Sequence, residues 1–561
     1  MSEIRVGVFI CHCGRNIGAY IDVPGVVEYA RGLANVVHAE HNLFTCSVEG
    51  TSAIKKAIVE HSLNRVVVAS CTPRTHETLF RSICEEAGLN KYLFEMANIR
   101  DQCSWVHMEC PEEATEKAER LVASAVARAR LLEPLEEIEI EVLPSCLVIG
   151  GGVAGMTAAL NLADQGFHVN LVEKETELGG NLSSIYRLFP TNQDAKDFVG
   201  PLIHRLKEHD KIGVHLGTRV REVAGFIGNY SVTLDRESEE TRLKAGTIIV
   251  AVGAEEFKPA GQYGYGEMSG VLTQLELEKQ LREGNVDGHS VVMINCVGSR
   301  TAERSYCSRF CCMTAVKNAV LIKENSPSAD VWILHRDLMT YGIDFEDYYR
   351  KAQEAGVRFV RYDPARPPEV IGNGHVEEVR VYHQLRQSQL EIPCDEVVVT
   401  TPLVPRSDND EISKLLKIPL SQEGFFMEAH LKLRPVEFAT DGVFVCGSAR
   451  WPVEVSEAIF QGCAAAAKAA IPMRMGYVKP EATTACVDEE LCAGCGICAA
   501  MCPFSAIELK SDNGKRVSSV ITALCKGCGT CAAACPSGAI SMNHFRTEQI
   551  MAQIEALLEC G

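Results

Sequence analysis

SCLVIGGGVAGMTAALNLADQGFHVNLVEK, residues 145–174, decides the fold. It reads as a strand, a glycine triplet, a helix and a second strand ending in an acidic residue. Gly150 makes the tight turn, Gly152 lets a pyrophosphate approach the backbone, and Gly155 lets helix and strand pack closely. The helix N-terminus, opening near Ala154, attracts phosphate. Glu173 follows Gly155 by 18 residues and is placed for ribose hydroxyls, with Lys174 beside it. A glycine triplet alone is a weak signal. The complete unit predicts a bound dinucleotide.

Downstream elements point to FAD. ETELGGNLSS supplies Gly179, Gly180 and Asn181, and resembles the second glycine element of flavoproteins with two dinucleotide domains. TIIVAVGAEEFKP (247–259), with Ala251 and Gly253, resembles their strand-to-loop element, with Val252 where threonine is common. HLGTRVREV passes the adenine near Val220. TDGVFVCGSAR (440–450) resembles the late flavin element, in which Gly447 approaches the isoalloxazine or ribityl chain. Ser448 stands where an acid is usual. The next helix, VEVSEAIFQGCAAAAKAA, is expected to aim its N-terminus at the flavin, an end that favours an anionic reduced ring.

The chain has 561 residues, room for about two to four domains. A net charge of −19 excludes nucleic-acid binding by bulk electrostatics. The start, MSEIRVGVFI, lacks a secretory layout, and the longest apolar run lies inside the dinucleotide motif, so neither export nor a membrane span is expected. Twenty-five cysteines in such a chain imply metal or redox chemistry rather than structural disulfides. The predicted architecture is α/β and multidomain. A small parallel α/β domain with a helical linker occupies 1–142. A thioredoxin-reductase-like FAD domain follows over 143–480, and a bacterial-type ferredoxin domain closes the chain over 481–561.

CAGCGICAAMCP (492–503) and CKGCGTCAAACP (525–536) share the form C-x2-C-x2-C-x3-C-P of two-cluster ferredoxins, in which each fourth cysteine serves the other cluster. Cys492, Cys495, Cys498 and Cys535 are therefore expected to hold one [4Fe–4S] cluster. Cys525, Cys528, Cys531 and Cys502 are expected to hold the second. Zinc is the weaker reading of two matched runs. Cys486 and Cys560 fall outside the pattern and are not expected to be ligands.

Flavin reductases of the thioredoxin-reductase type insert a second dinucleotide unit between the FAD halves. Here that unit begins at HSVVMINCVGSR, and no glycine triplet follows its strand, so NAD(P) binding is not expected. Cys296, Cys307, Cys311 and Cys312 fall instead where the nucleotide would sit. A buried thiol patch, a regulatory disulfide and an irregular [4Fe–4S] cluster are all open, and four grouped thiols favour the cluster. Lys317, one turn on, reads as part of a solvated helix face.

ICHCGRNIGAYIDV, NRVVVASCTPRTH, EMANIRDQCSWVH, INCVGSRTAERSYCSRFCCMTAVKNA and HRDLMTYGIDFEDYYRKAQEAGVRFVR together resemble the A-type subunit of heterodisulfide reductases, over nearly the whole chain. The resemblance implies a cytoplasmic iron–sulfur flavoprotein of anaerobic metabolism. It implies work in a larger complex, as a dimer, with B- and C-like subunits, an electron-input subunit such as a hydrogenase or formate dehydrogenase, and ferredoxin. It also implies an FAD that bifurcates or confurcates electrons between low-potential ferredoxin and a higher-potential acceptor. Disulfide reduction itself would belong to a partner with a CCG-type motif, so no residue here is expected to act as a catalytic acid or base. No cysteine lies between Cys146 and Cys296, so this is a short form without the inserted ferredoxin domain of the methanogen protein. The competing reading is an NAD(P)H-dependent iron–sulfur oxidoreductase similar to the small subunit of glutamate synthase.

In the N-terminal domain Cys11, Cys13, Cys46, Cys71 and Cys103 all follow predicted strands. They therefore gather at the carboxyl edge of a parallel sheet, where ligands collect. A further [4Fe–4S] cluster on Cys13, Cys46, Cys71 and Cys103 is the expectation, against buried thiols or a partner-facing redox thiol. Cys84 and Cys110 read as bystanders, and His12, His76 and His107 as capping or hydrogen-bonding residues.

Overall fold

Short aliphatic runs buried on both faces, such as Val66–Ala69 and Val397–Val399, recur along the chain and become central strands of parallel sheets. The structure is a computed structural model and describes residues 3–237, 239–284, 290–512 and 514–559. Cys560 lies outside the described residues. Two compact units emerge, Ile140–Val478 and the combination of Met1–Glu139 with Lys479–Gly561. The N-terminal and ferredoxin segments, read as separate domains in the sequence, thus pack as one.

In Ile140–Val478 the dinucleotide motif builds a five-stranded parallel sheet. Its order is Val443–Val445, Thr247–Val250, Ser145–Ile149, His168–Val172 and Ile212–His215. A second parallel sheet is ordered Val271–Thr273, Glu396–Thr400, Ser290–Asn295, Asp330–His335 and Arg358–Arg361. Each sheet carries a three-stranded antiparallel meander, Arg219–Ala245 on the first and Glu369–Pro393 on the second. This is a duplicated dinucleotide fold of the thioredoxin-reductase kind. The helix Val455–Met475 packs against Val153–Asp164, and the approach is close: a Cβ on Gly462 would stand 2.6 Å from Ala154 O.

In the other unit the N-terminal segment forms a four-stranded parallel sheet, ordered Val36–Asn42, Val6–Cys11, Arg65–Ser70 and Phe94–Asn98. Its helices begin at chemically marked positions. Asp22 and Ser47 cap theirs by accepting from Gly25 N and Gly50 N, and Pro73 and Pro111 open the next two long ones. The C-terminal segment pairs Ala485–Val487 with Ile540–Met542, and Ile507–Asp512 with Lys515–Val520, around two short helices. Its last helix, Thr547–Glu559, packs along Pro111–Ala129. Arg128 locks the join, donating to His544 O at 2.7 Å and to both Glu95 carboxylate oxygens.

Candidate functional site

The three glycines of the motif occupy three different environments. Gly150 has φ +112°, and a Cβ there would stand 2.3 Å from Ala251 O. A Cβ on Gly155 would meet Gly150 O at 2.0 Å. Gly152 has nothing within 4 Å, leaving open space for a ligand. Glu173 turns its carboxylate back to accept from Gly151 N at 2.6 Å and Glu175 N at 2.9 Å.

A wide cleft opens over this turn. Gly152, Ala154, Glu173, Gly179, Gly180, Asn181, Ala251 and Gly253 all line it. A smaller neighbouring cavity is lined by Gly150, Glu173, Lys174 and Val220, and Glu173, Val252 and Arg406 belong to both. The larger lobe suits a flavin and the smaller an adenosine, joined at the glycine turn. Gly155 packs beneath, and Gly447 (φ +68°) presses on Ala154 while its neighbour Ser448 forms cleft wall. These residues fit FAD.

The far wall of the same cleft comes from the second sheet. Phe310, Cys311, Thr314 and Lys317 reach it from the helix Cys311–Asn325 and the residue before it, and Gln274 and Glu278 reach it from Gln274–Glu283. Lys317 is 1% exposed and ion-pairs with Glu278, itself fully buried, which corrects the expectation of a solvated face. Lys317 also donates to Arg187 O at 2.9 Å, and Glu278 accepts from Tyr186 N at 2.8 Å. Burial lowers the Lys317 pKa although Glu278 opposes the shift. The next residue, Asn318, donates to Gln274, which donates to Thr400 at the cleft edge.

The N-terminus of Val455–Met475 does face this cleft, through Glu454, Val455 and Ala458. Two of its free N–H groups are taken, however. Glu454 accepts from Ser456 N and Glu457 N, both at 2.7 Å. The helix end therefore brings a carboxylate with it, which the sequence reading did not include.

The structure brings Cys296, Cys307, Cys311 and Cys312 together. Cys296 follows the strand Ser290–Asn295 with φ +66°, and Cys311 and Cys312 open the helix. Burial pushes the Cys311 thiol well up, and the neighbouring Cys312, Cys307 and Cys296 push it further. Cys312 rises to about 12 for the same reason, with Cys296 and Cys307 contributing. Cys296 is also raised by burial, offset in part by Arg336 and Arg300. Four thiols this close, three of them buried and Cys307 half-buried, cannot all ionise without a cationic partner between them. An iron–sulfur core supplies one, so the donor set fits a cluster. Among the described residues every cysteine is free, and no three His, Cys, Asp or Glu side chains close on a single-ion geometry. Cubane thiolates each bind a separate iron and stand farther apart than zinc ligands.

The ferredoxin segment repeats this fit twice. Cys502, Cys525, Cys528 and Cys531 line one cavity of about 320 Å³ of non-atom space. In the other set Cys535 acts electrostatically on Cys492, whose thiol is lowered by backbone N–H groups of Ser518 and Gly494. Gly494 and Gly527, at matching places in the two runs, have φ +63° and +64°. A Cβ on either would strike a carbonyl, Arg516 O or Thr483 O.

In the N-terminal segment the gathered thiols are Cys11, Cys13, Cys46 and Cys71. Cys46 and Cys71 are raised first by burial and also by Cys11 and Cys13, while Arg100 opposes. Arg100 donates to Cys13 Sγ at 3.6 Å. Cys103, expected in this set, turns the other way. It is fully buried in the core, bonded to Ala114 O at 3.0 Å, and burial pushes it up to about 11. Cys11 takes its place.

The pyridine nucleotide-disulphide oxidoreductase family model matches residues 144–462, and the 4Fe-4S dicluster domain model matches 461–542. The first of two iron–sulfur A-type subunits of CoB–CoM heterodisulfide reductase in Methanopyrus kandleri is 42% identical, over 99% of this chain and 98% of its own length. The chain belongs to the family of heterodisulfide reductase A-type subunits. Another member, the A-type subunit of the H(2):CoB-CoM heterodisulfide,ferredoxin reductase of Methanothermobacter thermautotrophicus, is 40% identical over 100% of this chain and 98% of its own. Among solved structures, Lactococcus lactis thioredoxin reductase aligns with a TM-score of 0.43 and 18% identity, over 59% of this chain and 99% of that one.

This heterodisulfide reductase A-type chain is thus an oxidoreductase subunit with a flavin domain and a 4Fe–4S domain. Its alignment with the Methanopyrus relative spans 658 positions against 561 residues here, so the relative carries chain that this member lacks. Among the described residues no helix is long and apolar enough to cross a membrane. Sequence reasoning missed Arg406, Gln274, Glu278 and Glu454 as cleft residues. Arg406 follows Pro405 in the element that re-enters the flavin half, and that position was the one available signal.

Proposed function

We propose that this chain is the flavin and iron–sulfur junction of a heterodisulfide reductase-like complex. It would bifurcate or confurcate electron pairs between low-potential ferredoxin and a higher-potential acceptor. The observation that carries the reading is Cys311, which stands in the wall of the cleft that Gly152 and Gly180 also line. A nicotinamide would need that place. After the strand Ser290–Asn295 the chain gives Cys296 and Gly298, and a Cβ on Gly298 would clash with Phe257, so this glycine serves packing.

Bound FAD and iron–sulfur clusters supply, respectively, exchange of electrons in pairs or singly and exchange of electrons singly. The chain's own residues do the rest. Gly150, Gly152, Glu173, Lys174 and Val220 orient the dinucleotide, and Arg406 spans its two lobes. The Lys317–Glu278 pair holds a proton on the cleft wall, out of water. Cys296, Cys307, Cys311 and Cys312 are assigned to the cluster facing the cleft, the eight ferredoxin cysteines to two more, and Cys11, Cys13, Cys46 and Cys71 to a fourth. The names of the relatives, as A-type subunits of hydrogen-, formate- or ferredoxin-linked reductases, support a multi-subunit complex with an input from hydrogen or formate and with ferredoxin; B- and C-type partner subunits are part of the proposal. We assign the complex to the cytoplasm and the chain to a dimer within it.

The test is anaerobic purification from the native host with iron and flavin counting, then mixing with NADPH or reduced ferredoxin. About 16 Fe and one FAD per chain, with bleaching by reduced ferredoxin alone, is the expected result. Rapid flavin bleaching by NADPH alone would overturn the proposal in favour of the NAD(P)H-dependent reading.

A further inference from the structure

The loops that carry Cys11, Cys13, Cys46 and Cys71 end in exposed apolar side chains. Leu43 is 62% exposed, Val48 78% and Val106 63%, with Phe44 and Trp105 close behind. They form one collar around the thiols. Cys11 Sγ reaches Leu43 O at 4.0 Å and accepts from Thr45 N at 3.4 Å. The Phe44 ring lies 3.2 Å from where a Cβ on Gly14 would stand. The Arg100 guanidinium lies 4.7 Å over the Trp105 ring while it donates to Cys13 Sγ. Ser104 donates to Asn16 O at 2.8 Å, tying the Trp105 loop to the Cys13 loop.

The collar also has its own charge. Residues 11–16, 41–48 and 71–76 contain Arg15, Arg74 and three histidines, on a chain with net charge −19; of the acids that flank them, Glu40 faces His38, Glu77 pairs with Arg81, and Glu49 is exposed. In the fourth loop Arg100 and Asp101 pair with each other at 3.6 Å. Cys46 and both free arginines are exposed. An apolar, basic rim around exposed sulfur, on an otherwise acidic molecule, is complementary to one kind of partner.

We infer that this collar docks an acidic carrier protein whose own one-electron centre lies at its surface. The apolar tips exclude water over a small contact, as in transient redox encounters, and Arg15 and Arg74 steer the approach. The inference rests on the proposal that Cys11, Cys13, Cys46 and Cys71 hold an iron–sulfur cluster. It goes beyond that proposal in placing the carrier at this segment rather than at the ferredoxin segment.

The experiment uses the full chain, purified anaerobically, with an acidic two-[4Fe–4S] ferredoxin as probe and calorimetry at low and high salt as readout. Reversing both charges, Arg15→Glu with Arg74→Glu, is expected to weaken binding about tenfold or more at low salt and to flatten its salt dependence. Val48→Glu should also weaken it, and Leu385→Ser, an exposed change far along the sequence, should not. Unchanged affinity in both collar variants overturns the inference. So does a collar variant that changes the oligomeric state of the chain alone in sedimentation, which would make the collar a contact between copies. Iron counting on Cys46→Ala separates the premise. A loss of about four Fe with unchanged collar binding sinks the docking alone, whereas full iron retention sinks the cluster assignment beneath it.

Discussion

Replacing Lys317 by Met should destabilise the flavin unit strongly, and replacing its partner as well should restore much of the loss. Lys317 and Glu278 are 1% and 0% exposed. Removing the ammonium leaves a buried carboxylate with Tyr186 N as its remaining donor. Breaking a buried pair in this way costs about 3–5 kcal/mol. Spread over the unfolding entropy of a unit this size, that is a fall of roughly 5 °C in Tm. The double variant Lys317→Met with Glu278→Gln removes the stranded charge and should recover more than half of it. The pH dependence carries the sign. Below the ordinary carboxylate range, Glu278 of the single variant is protonated in folded and unfolded chains alike, and the penalty is absent. Above it the unfolded chain ionises, while ionising the buried, unpaired group in the folded variant costs its desolvation. Stability of Lys317→Met should therefore fall with rising pH, by about 1.4 kcal/mol per unit, until the folded carboxyl ionises too. Calorimetry of the FAD-loaded proteins between pH 5 and 8 reads this directly. A single variant as stable as the double, or one whose deficit ignores pH, would refute the buried pair.

Cys311→Ala combined with Cys312→Ala should remove about four Fe per chain and leave the flavin bound, as read by iron assay and flavin absorbance; unchanged iron would return these thiols to simple core residues. Cys11→Ala should lower the iron content in the same way. Cys103→Ala should keep the iron and lower Tm, because its sulfur fills the core against Ala114 O; the opposite ranking would restore Cys103 as the ligand. Gly152→Ala meets nothing within 4 Å and should fold, but without retaining FAD, while Gly155→Ala meets Gly150 O at 2.0 Å and should lose stability as well. Flavin release and thermal melts of the two variants side by side separate a ligand-facing glycine from a packing one.

What the sequence disclosed was whatever depends on spacing within one short segment. The turn Gly150–Gly155 and each ferredoxin run are recognisable inside 12 residues, and in the structure Gly152 lines the cleft while Cys502 joins Cys525, Cys528 and Cys531 at one cavity. Choices that depend on side-chain direction were not legible. Cys11 ends a strand whose residues are buried on both faces, so no alternation marks which side it serves. Cys103 sits in the helical turn Arg100–Ser104, whose rotation sends it inward; counting residues past a strand cannot give that rotation. Lys317 misled for a related reason. Its helix is buried on nearly every side, and its counter-charge lies 39 residues earlier on Glu278. A charged residue on a helix reads as solvated until that partner is seen.

Glu454 changes the electrostatic sense of the flavin cleft. An uncapped helix end presents the equivalent of about half a positive charge, and by itself it would favour negative charge on a flavin. The Glu454 carboxylate adds a full negative charge on the same N–H groups, so the end as a whole is no longer cationic. The nearest helix, meanwhile, puts Lys317 on the opposite wall, but locked to Glu278. Two positive elements of the cleft are thus neutralised by built-in carboxylates, one exposed to the cleft and one buried behind it, and a third, Arg406, faces Glu255 at 3.5 Å. Such a cleft gives little help to an added negative charge. On the function proposed above, in which the site passes electrons on to a low-potential acceptor, that is a gain, since electrostatic stabilisation of the reduced ring would hold them back.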